Sequence, residues 1–532
     1  MKKAKGLLFV LMTICTACAP QVTITEPEDG ATFEEGEPIV FNCEATDRED
    51  GELSGESVVW YADSEDTILG TGAEMETDAI SRGEHTIIVT ATDSDGKVGT
   101  DEITITIGQG GSSTTTTTGE VGADMLSPSD FVYEGAFRLP SDFNWGGRGL
   151  SFYPDGNGGA GSLLVTGFEL LYDPAHPGES CWDTTWNCYA YFGEISIPAP
   201  AKATAWESLP EASMVTPLTS FDGGLASSVH REYVFVSGIQ HVPRQGTQSG
   251  DKIYGSINLW YAEGVAGEST FPTVWFSSMD GTNAQGMFHV GPEEAPYHGR
   301  KTGSYLFTVP AWYADQYLGG RTLVTGRSRG TPATAFEEIT VNGGSQGPTL
   351  FAFHPFESDS PSGNLDALPM LYYRVKFPGC AGPNVGNVSE CDYPGFTMCD
   401  DWTGGAFVDS GTKRTIMLLG YKGLGNNCYD EPPVQCNDPC SQNHGYHCQP
   451  YERQVIFYDV KQIGKTALGQ QDPWAVLPYT IWRPSEFYLD GSTCWNAGGM
   501  AYDTQNKRLF MAERGLGESE MNAIVVHVWS VQ

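Results

Sequence analysis

The sequence predicts an all-β protein with more than one domain. Its 532 residues include 65 glycines and 32 prolines without a fixed period, and 12% of the residues are aromatic while only 18% are charged. Such a chain is too long for one ordinary domain and too aromatic to be disordered, and its glycines and prolines are typical of turns between short strands. The net charge of −38 excludes a nucleic-acid partner, because binding to phosphates needs clustered lysines and arginines.

The N-terminus has the pattern of an export signal. Three lysines within the first five residues precede an apolar run that is too short to span a membrane, so residues 1–17 are predicted to be a signal peptide. Ala17-Cys18 resembles the cleavage site of bacterial lipoproteins, and this resemblance implies that Cys18 is acylated. No later stretch reaches about 18 apolar residues, so membrane attachment is expected only through this lipid. We therefore expect a cell-surface or outer-membrane lipoprotein.

Residues 22–107 are predicted to form a first, strongly acidic domain. They carry 23 acidic and three basic residues, and short alternating strands are separated by Asp/Gly turns. The segments ITEPEDGATFEEGEPIVF, EATDREDGELSGESVVWYAD and GEHTIIVTATDSDG resemble bacterial Ig-like and PKD-like extracellular modules. The resemblance implies a β-sandwich that serves as a spacer or adhesive unit. Cys43 has no matching cysteine on a later strand and is expected to be a buried thiol.

Residues 108–125 are rich in Gly, Ser and Thr and are predicted to be a flexible linker. The remaining residues, 126–532, repeat an order of four segments. A strand led by glycine is followed by a strongly apolar strand, then by a third strand after a variable loop, and then by a fourth. The leading glycines are Gly149, Gly224, Gly286, Gly405 and Gly499.

The two ends of this repeat complement each other. The last unit lacks its fourth strand, and Tyr133–Leu139 is an unmatched strand at the start. The sequence therefore predicts a five-bladed β-propeller closed by its N- and C-terminal strands, an arrangement that protects strand edges. Six blades are the alternative, because Thr322–Gly326 is an extra apolar strand. A β-sandwich with long loops would not explain the repeated order.

The site is predicted at one end of the propeller, where loops precede each innermost strand and follow each second strand. Ten cysteines fall in these loops, and an even number in an exported chain indicates up to five disulfides. A zinc site formed by Cys436, Cys440, Cys448, His444 and His447 is the competing interpretation. The ten cysteines are Cys181, Cys188, Cys380, Cys391, Cys399, Cys428, Cys436, Cys440, Cys448 and Cys494.

The same loops carry acids, cations and aromatic residues, which together suit a sugar ligand. Asp222, Asp401 and Glu513 are the candidate catalytic carboxyl groups of a glycoside hydrolase. This layout resembles that of five-bladed glycosidases, although the first blade offers Arg148 where an acid is expected. The side chains expected to contact substrate are Trp145, Arg327, Arg329, Trp402, Lys422, Trp495 and Arg514.

A polysaccharide lyase is the second interpretation. His241 with Tyr421 would move the C5 proton, and Arg244, Arg327 and Arg329 would neutralise the uronate, as in the propeller lyases that these residue types resemble. A non-catalytic binder of a glycan or surface protein is the third, and any of the aspartates would serve equally as a loop cap or a calcium ligand. The segments LGGRTLVTGRSRG and HCQPYERQVIFYDV resemble secreted propellers of unassigned activity.

Overall fold

The chain folds as two units, Met1–Ser112 and Ser113–Gln532. In both units β-strands predominate and helices are short. The computed structural model describes residues 19–34, 38–63, 68–77, 80, 83–108, 114–117, 121–176, 181, 185–203, 205–229, 234–259, 272–292, 302–328, 345, 347–374, 392–425, 427–430, 435–440, 445–487, 489, 494, 497–516 and 523–532.

The N-terminal unit is a sandwich of two sheets. One sheet has the order β1-β3-β4 with β7 also paired to β3, and the other has the order β2-β9-β8-β5-β6. Alternate residues of β3, from Ile39 to Asp47, are buried, which is the pattern of a strand with one face on a core. The strands are β1 Gln21–Glu26, β2 Thr32–Glu34, β3 Ile39–Asp47, β4 Gly51–Glu52, β5 Val58–Ala62, β6 Ile68–Thr71, β7 Glu74–Thr77, β8 Gly83–Thr92 and β9 Val98–Gly108.

The core of the sandwich contains the cysteine that the sequence singled out. Trp60 and Phe41 are fully buried at its centre, and the Trp60 indole donates a hydrogen bond to the Gly72 carbonyl. Cys43 is a free, buried thiol, as predicted. Burial, with a smaller contribution from Asp101, raises the pKa of this thiol, so it remains protonated at neutral pH.

The C-terminal unit contains five antiparallel sheets of four principal strands each. We number them sheets 1 to 5 in the chain order of their first strands. Sheet 1 is β12 Leu150–Tyr153, β13 Ser162–Thr166, β14 Tyr191–Ser196 and β15 Met214–Ser220. Sheet 2 is β16 Val234–Val242, β17 Lys252–Leu259, β18 Val274–Ser278 and β19 Gln285–Phe288. Sheet 3 is β20 Thr302–Thr308, β21 Leu323–Arg327, β22 Leu350–Phe353 and β23 Ala367–Leu371.

Sheets 4 and 5 include the strands nearest the two ends of this unit. Sheet 4 is β24 Asp401–Asp409, β25 Arg414–Gly423, β28 Tyr451–Tyr458 and β29 Thr480–Arg483, and β10 Thr114–Thr117 adds a fifth strand beside β29. Sheet 5 is β30 Ala497–Asp503, β31 Arg508–Leu516, β32 Ala523–Val531 and β11 Phe131–Arg138. A separate hairpin is formed by β26 Cys428–Asp430 and β27 Gly445–His447.

Short helices connect some of these strands. They are α1 Gly156–Gly159, α2 Leu225–Val229, α3 Ala311–Tyr317 and α4 Val460–Ala467. The described 3-10 turns are Gly55–Ser57, Pro128–Asp130, Ser141–Phe143, Trp206–Ser208, Pro473–Ala475 and Ser485–Phe487.

The two ends of the C-terminal unit pair with each other, as the sequence predicted. β11 and β32 run antiparallel from Phe131 opposite Val531 to Arg138 opposite Val525. A buried polar chain supports this pairing, because the Tyr133 hydroxyl lies 3.0 Å from His527 Nδ1 and the other nitrogen of His527 lies 2.9 Å from Glu513. The fourth strand of sheet 5 is therefore β11, which comes from the N-terminal part of the unit.

The first strands of the five sheets contact one another in a cycle, β12 to β16, β20, β24, β30 and back to β12. Glycines allow this close approach. A Cβ added at Gly499 would lie 2.5 Å from the backbone nitrogen of Leu150, and one at Gly404 would lie 2.9 Å from that of Met500. At Gly149 the added atom would lie 2.7 Å from a backbone oxygen of β16. Several of the glycines in the repeat therefore mark positions where neighbouring sheets touch.

The structure corrects two of the predicted units and the linker. The segment led by Gly224 contains helix α2, and the segment led by Gly286 contains β19, the outermost strand of sheet 2. Four of the five residues of the extra apolar segment Thr322–Gly326 belong to β21, the second strand of sheet 3, so the described residues need no sixth sheet for it. Within the predicted linker, Thr114–Thr117 forms the edge strand β10.

Candidate functional site

The five first strands run in the same direction, so that their starts lie at one end of the space between them and their ends lie at the other. Residues near their starts, such as Gly149 and Gly404, surround one small void, and residues near their ends, such as Phe152 and Phe407, surround a larger cavity. We call the end where the first strands begin the upper end and the end where they finish the lower end. The loops that the sequence predicted to form the site, between fourth and first strands and between second and third strands, lie at the upper end.

A buried ionic network closes the upper end of the space between the first strands. Arg148 lies 2.7 Å from Glu169 and 3.6 Å from Asp401, which is the first residue of β24. Since β12 and β24 are not neighbours in the cycle, the pair of Arg148 and Asp401 spans the enclosed space. Arg514 lies 3.0 Å from the other oxygen of Glu169, and the Tyr421 hydroxyl donates to Asp401 at 3.1 Å.

The charges of this network stabilise one another. Burial alone would raise the pKa of Glu169, but Arg514 and Arg148 outweigh it and lower that pKa to about 2. Burial also opposes the charge of Arg148, yet Glu169 and Asp401 raise the pKa of its guanidinium. Glu169 is therefore an ionised structural carboxylate and cannot donate a proton near neutral pH.

The predicted catalytic carboxyl groups all have internal partners. Asp222 is completely buried and accepts hydrogen bonds from the backbone amides of Ala190 and Ala226, although burial raises its pKa. Glu513 is completely buried between Arg453, at 2.5 Å, and His527. Burial would raise the pKa of Glu513, but Arg453 and His527 lower it.

The structure places His241 away from the other candidates. The sequence predicted that it follows a second strand at the upper end, but it lies on β16, a first strand, next to the lower end. The error comes from the shifted strand order of sheet 2, where the segment expected to be the second strand is in fact the first. Asp401 and Glu513, by contrast, lie on β24 and β31 as their positions in the repeat predicted.

The predicted substrate-binding residues divide into buried and exposed groups. Trp402 and Arg327 are buried, and Lys422 is held by Asp400 at 2.7 Å and by the Gly395 carbonyl. Arg514 belongs to the ionic network. Trp145 alone among the described members of the set is strongly exposed, with 51% of its surface accessible. Arg329 and Trp495, together with the lipidation candidate Cys18, lie outside the described residues.

Disulfides fasten the loops of the upper end. The long loop after β25 holds three of the bonds: Cys428 to Cys436 within it, Cys399 to Cys448, and Cys440 to Cys494. The cysteines of the alternative zinc site are therefore oxidised, and His447 pairs with Asp438. Cys380 and Cys391 lie outside the described residues. The remaining described disulfide joins Cys181 to Cys188.

An aromatic cluster that the sequence analysis missed lies on both sides of the disulfide between Cys181 and Cys188, from the end of β13 to the start of β14. Phe168 stacks on Tyr172 with ring centroids 4.0 Å apart, and Tyr191 packs against both rings. Tyr189 packs edge-on against Tyr191. We define the aromatic cluster as Phe168, Tyr172, Tyr189 and Tyr191, all of which are partly exposed. The aromatic-rich segment CYAYF, residues 188–192, could have indicated this cluster.

The aromatic cluster adjoins the ionic network through the chain itself. Glu169 follows Phe168 directly, and the backbone amide of Gly147 donates to the Thr166 carbonyl at 2.9 Å, which brings the loop of exposed Trp145 beside the same strand end. Apolar ring faces and fixed charges thus share one surface.

No group of three or more potential metal ligands occurs among the described residues, and calcium remains an untested expectation. Within the same described part of the chain, no helix is long and apolar enough to span a membrane.

Comparisons with known proteins identify part of the chain. Residues 20–89 match the family model of a bacterial Ig domain, which agrees with the resemblance drawn from the sequence. Together with the disulfides, this domain indicates an extracellular protein. No curated protein matches the chain.

Three solved structures show distant similarity. The fibronectin(III)-like modules of Clostridium thermocellum CbhA align with a TM-score of 0.14 and 23% identity, covering 16% of this chain and 97% of theirs. The endo-β-1,4-mannanase from Thermotoga petrophila aligns with a TM-score of 0.14 and 17% identity, covering 18% and 21%. A quinonprotein alcohol dehydrogenase-like protein from Bacteroides thetaiotaomicron aligns with a TM-score of 0.18 and 9% identity, covering 97% and 99%. These scores support no conclusion about function.

Proposed function

We propose that the C-terminal unit is a five-bladed β-propeller and that the protein binds an extracellular glycan at its upper end without cleaving it. Five four-stranded sheets whose first strands touch in a cycle, and the pairing of β11 with β32, support the propeller. Attachment to the membrane by a lipid on Cys18 is part of the proposal, and the mass of the mature N-terminal peptide tests it.

The aromatic cluster is the observation that carries the glycan proposal. Aromatic rings supply large apolar faces on which sugar rings can pack, and polar groups at the edge can pair with the hydroxyls. Phe168 and Tyr172 stack on each other and both are partly exposed, and Glu169 follows Phe168 in the chain. The exposed Trp145 lies in the loop that Gly147 joins to the end of β13. The disulfide between Cys181 and Cys188 ties the loop down, so less conformational entropy is lost when a ligand binds.

The buried acids favour binding over hydrolysis. A glycosidase needs two opposed carboxyl groups that reach the scissile bond, one of them protonated. Asp222 and Glu513 have no accessible surface, and Asp401 is held by Arg148 and Tyr421. A lyase through His241 is also disfavoured, because that residue lies near the lower end.

The test is to measure binding and product formation together, with the secreted protein and a panel of neutral and uronate polysaccharides. We expect calorimetric binding of at least one glycan, without new reducing ends and without the ultraviolet absorbance of an unsaturated uronate. Tyr172→Ala should weaken this binding about fivefold, since one aromatic stacking contact contributes roughly 1 kcal/mol.

Trp312→Ala is the matched control. Trp312 is a partly exposed aromatic residue on α3, which connects β20 to β21 at the lower end, and its loss should leave glycan binding unchanged. Release of products would establish an enzyme. If Trp312→Ala abolishes glycan binding and Tyr172→Ala does not, the glycan binds at the lower end, which contradicts the proposal.

A further inference from the structure

A cavity of about 360 Å³ opens at the lower end of the first strands. All five first strands line it, including Phe152 of β12, His241 of β16, Phe307 of β20, Phe407 of β24 and Met500 of β30. Cavities of this size accommodate small organic molecules. The lower-end cavity is therefore a second place where a ligand can be enclosed, at the opposite end from the aromatic cluster.

His241 is a buried polar group of this cavity, and one of its two ring nitrogens pairs with a carboxylate. Only 6% of its surface is exposed, and its Nε2 lies 2.8 Å from Asp251 Oδ2. Asp251 accepts a second hydrogen bond from the backbone amide of Arg244. Burial would raise the pKa of Asp251, but His241, the Arg244 amide and Lys252 lower it, so the carboxylate is ionised.

The contact with ionised Asp251 fixes the tautomer of the neutral histidine ring. Because the carboxylate can only accept, Nε2 carries a proton and donates to it, so that in the neutral ring Nδ1 is a hydrogen-bond acceptor. Among the described residues nothing donates to this Nδ1. The ring is held in place, since its backbone amide donates to Ser151 Oγ at 3.0 Å and the Tyr153 ring lies 4.6 Å away.

The other lining residues define the chemistry of the ligand. None of the described residues that line the cavity is an aspartate, glutamate, lysine or arginine, so no charge is available to pair with an ion. Phe152, Phe307 and Phe407 offer apolar ring surfaces. The uncharged polar lining residues besides His241 are Gln240, Gln245, Thr308, Thr322, Tyr502 and Thr504.

We propose that the lower-end cavity binds an uncharged, mainly apolar small molecule of the phenol class, whose hydroxyl donates to His241 Nδ1. The molecule enters from the lower end. The void above the cavity has room for about one water molecule, and the ionic network of Arg148, Glu169 and Asp401 lies beyond it. This site is independent of the glycan proposal, and either can fail without the other.

The experiment compares 4-propylphenol with propylbenzene, which has the same apolar body and no hydroxyl. Calorimetric titration of the full chain should show that the phenol binds at least tenfold more tightly. His241→Phe keeps a ring in the cavity but removes the acceptor, so the two probes should then bind equally. Equal binding of the probes to the unaltered protein, or binding of neither probe at millimolar concentration, would overturn the proposal.

Two further variants separate the site from general effects. His176→Phe is the matched control, because His176 also pairs with an aspartate, Asp173 at 3.0 Å, but does so in the upper-end loop after β13. It should bind both probes as the unaltered protein does. Met500→Trp fills the cavity without changing His241 and should abolish binding of both probes. If Met500→Trp retains phenol binding, the phenol site lies elsewhere.

Discussion

Glu169 shows how one residue combines a structural role with a position at the candidate site. It directly follows Phe168 of the aromatic cluster and is fixed by Arg148 and Arg514. The sequence placed Arg148 and Arg514 among the upper-end residues from their positions in the repeat. It could not show that both charges pair with that of Glu169, because the partners belong to strands far apart in the chain.

The low pKa of Glu169 predicts a stability change in acid. Its folded pKa, about 2, lies below the ordinary value of 4.5, so its stabilisation is complete above about pH 4.5 and is lost as the pH falls towards 2. The shift corresponds to at most about 3 kcal/mol. Glu169→Gln should therefore flatten the dependence of unfolding free energy on pH between pH 5 and pH 2.5, measured by urea titration.

Asp366→Asn supplies the comparison for that measurement. Asp366 pairs with Arg321 at 2.6 Å but is 69% exposed, so water screens the pair and the pH dependence should stay as in the unaltered protein. An unchanged pH dependence in Glu169→Gln would contradict the assigned role of this carboxylate.

At the scale of elements, the sequence predicted sheets 1, 4 and 5 better than sheets 2 and 3. Gly149, Gly405 and Gly499 lead or lie within first strands because neighbouring strands approach them closely. Gly224 has a positive φ of 82° before helix α2, and Gly286 lies on an outer strand. Neither of these two glycines therefore lies on a first strand. A glycine followed by apolar residues does not distinguish close sheet packing from a turn, and this ambiguity misplaced His241.

The pairing of β11 with β32 predicts that the C-terminal unit needs its own N-terminal strand. Fragment Ser113–Gln532 should unfold cooperatively on heating, as monitored by circular dichroism. Fragment Pro140–Gln532 lacks the edge strand β10 as well as β11, and the loss of β11 leaves one edge of β32 unpaired and exposes the core that Phe137 covers. We expect this shorter fragment to aggregate or to lose cooperative unfolding.

A peptide of residues 126–140 should restore cooperative unfolding to the shorter fragment, because strand pairing requires no covalent link. Equal unfolding temperatures for the two fragments would show that β11 is dispensable. The buried chain of Tyr133, His527 and Glu513 is the structural reason to expect otherwise.

For the whole molecule, the distribution of charge matters more than its total. Residues 22–107 carry 23 acids and three basic residues, a net charge of 3 − 23 = −20, out of −38 for the chain. Each unit has its own hydrophobic core, the N-terminal one centred on Trp60 and those of the C-terminal unit formed by its sheets. Composition and strand pattern both change near residue 108, and the chain divides into its two units after Ser112.

Charge repulsion within the acidic unit predicts a selective response to salt. At 10 mM salt the screening length is about 30 Å, which lets like charges repel across a small domain, and at 0.15 M it is about 8 Å. Calorimetry of the full chain at pH 7 should show two transitions, assigned by comparison with fragments 19–108 and 113–532. Added salt should raise the midpoint of the N-terminal unit by about 4–8 °C for each kilocalorie of repulsion that is screened. The C-terminal midpoint should move less, because that unit carries about the same net charge on a much larger surface. A single transition, or equal salt shifts in both units, would show that their stabilities are coupled.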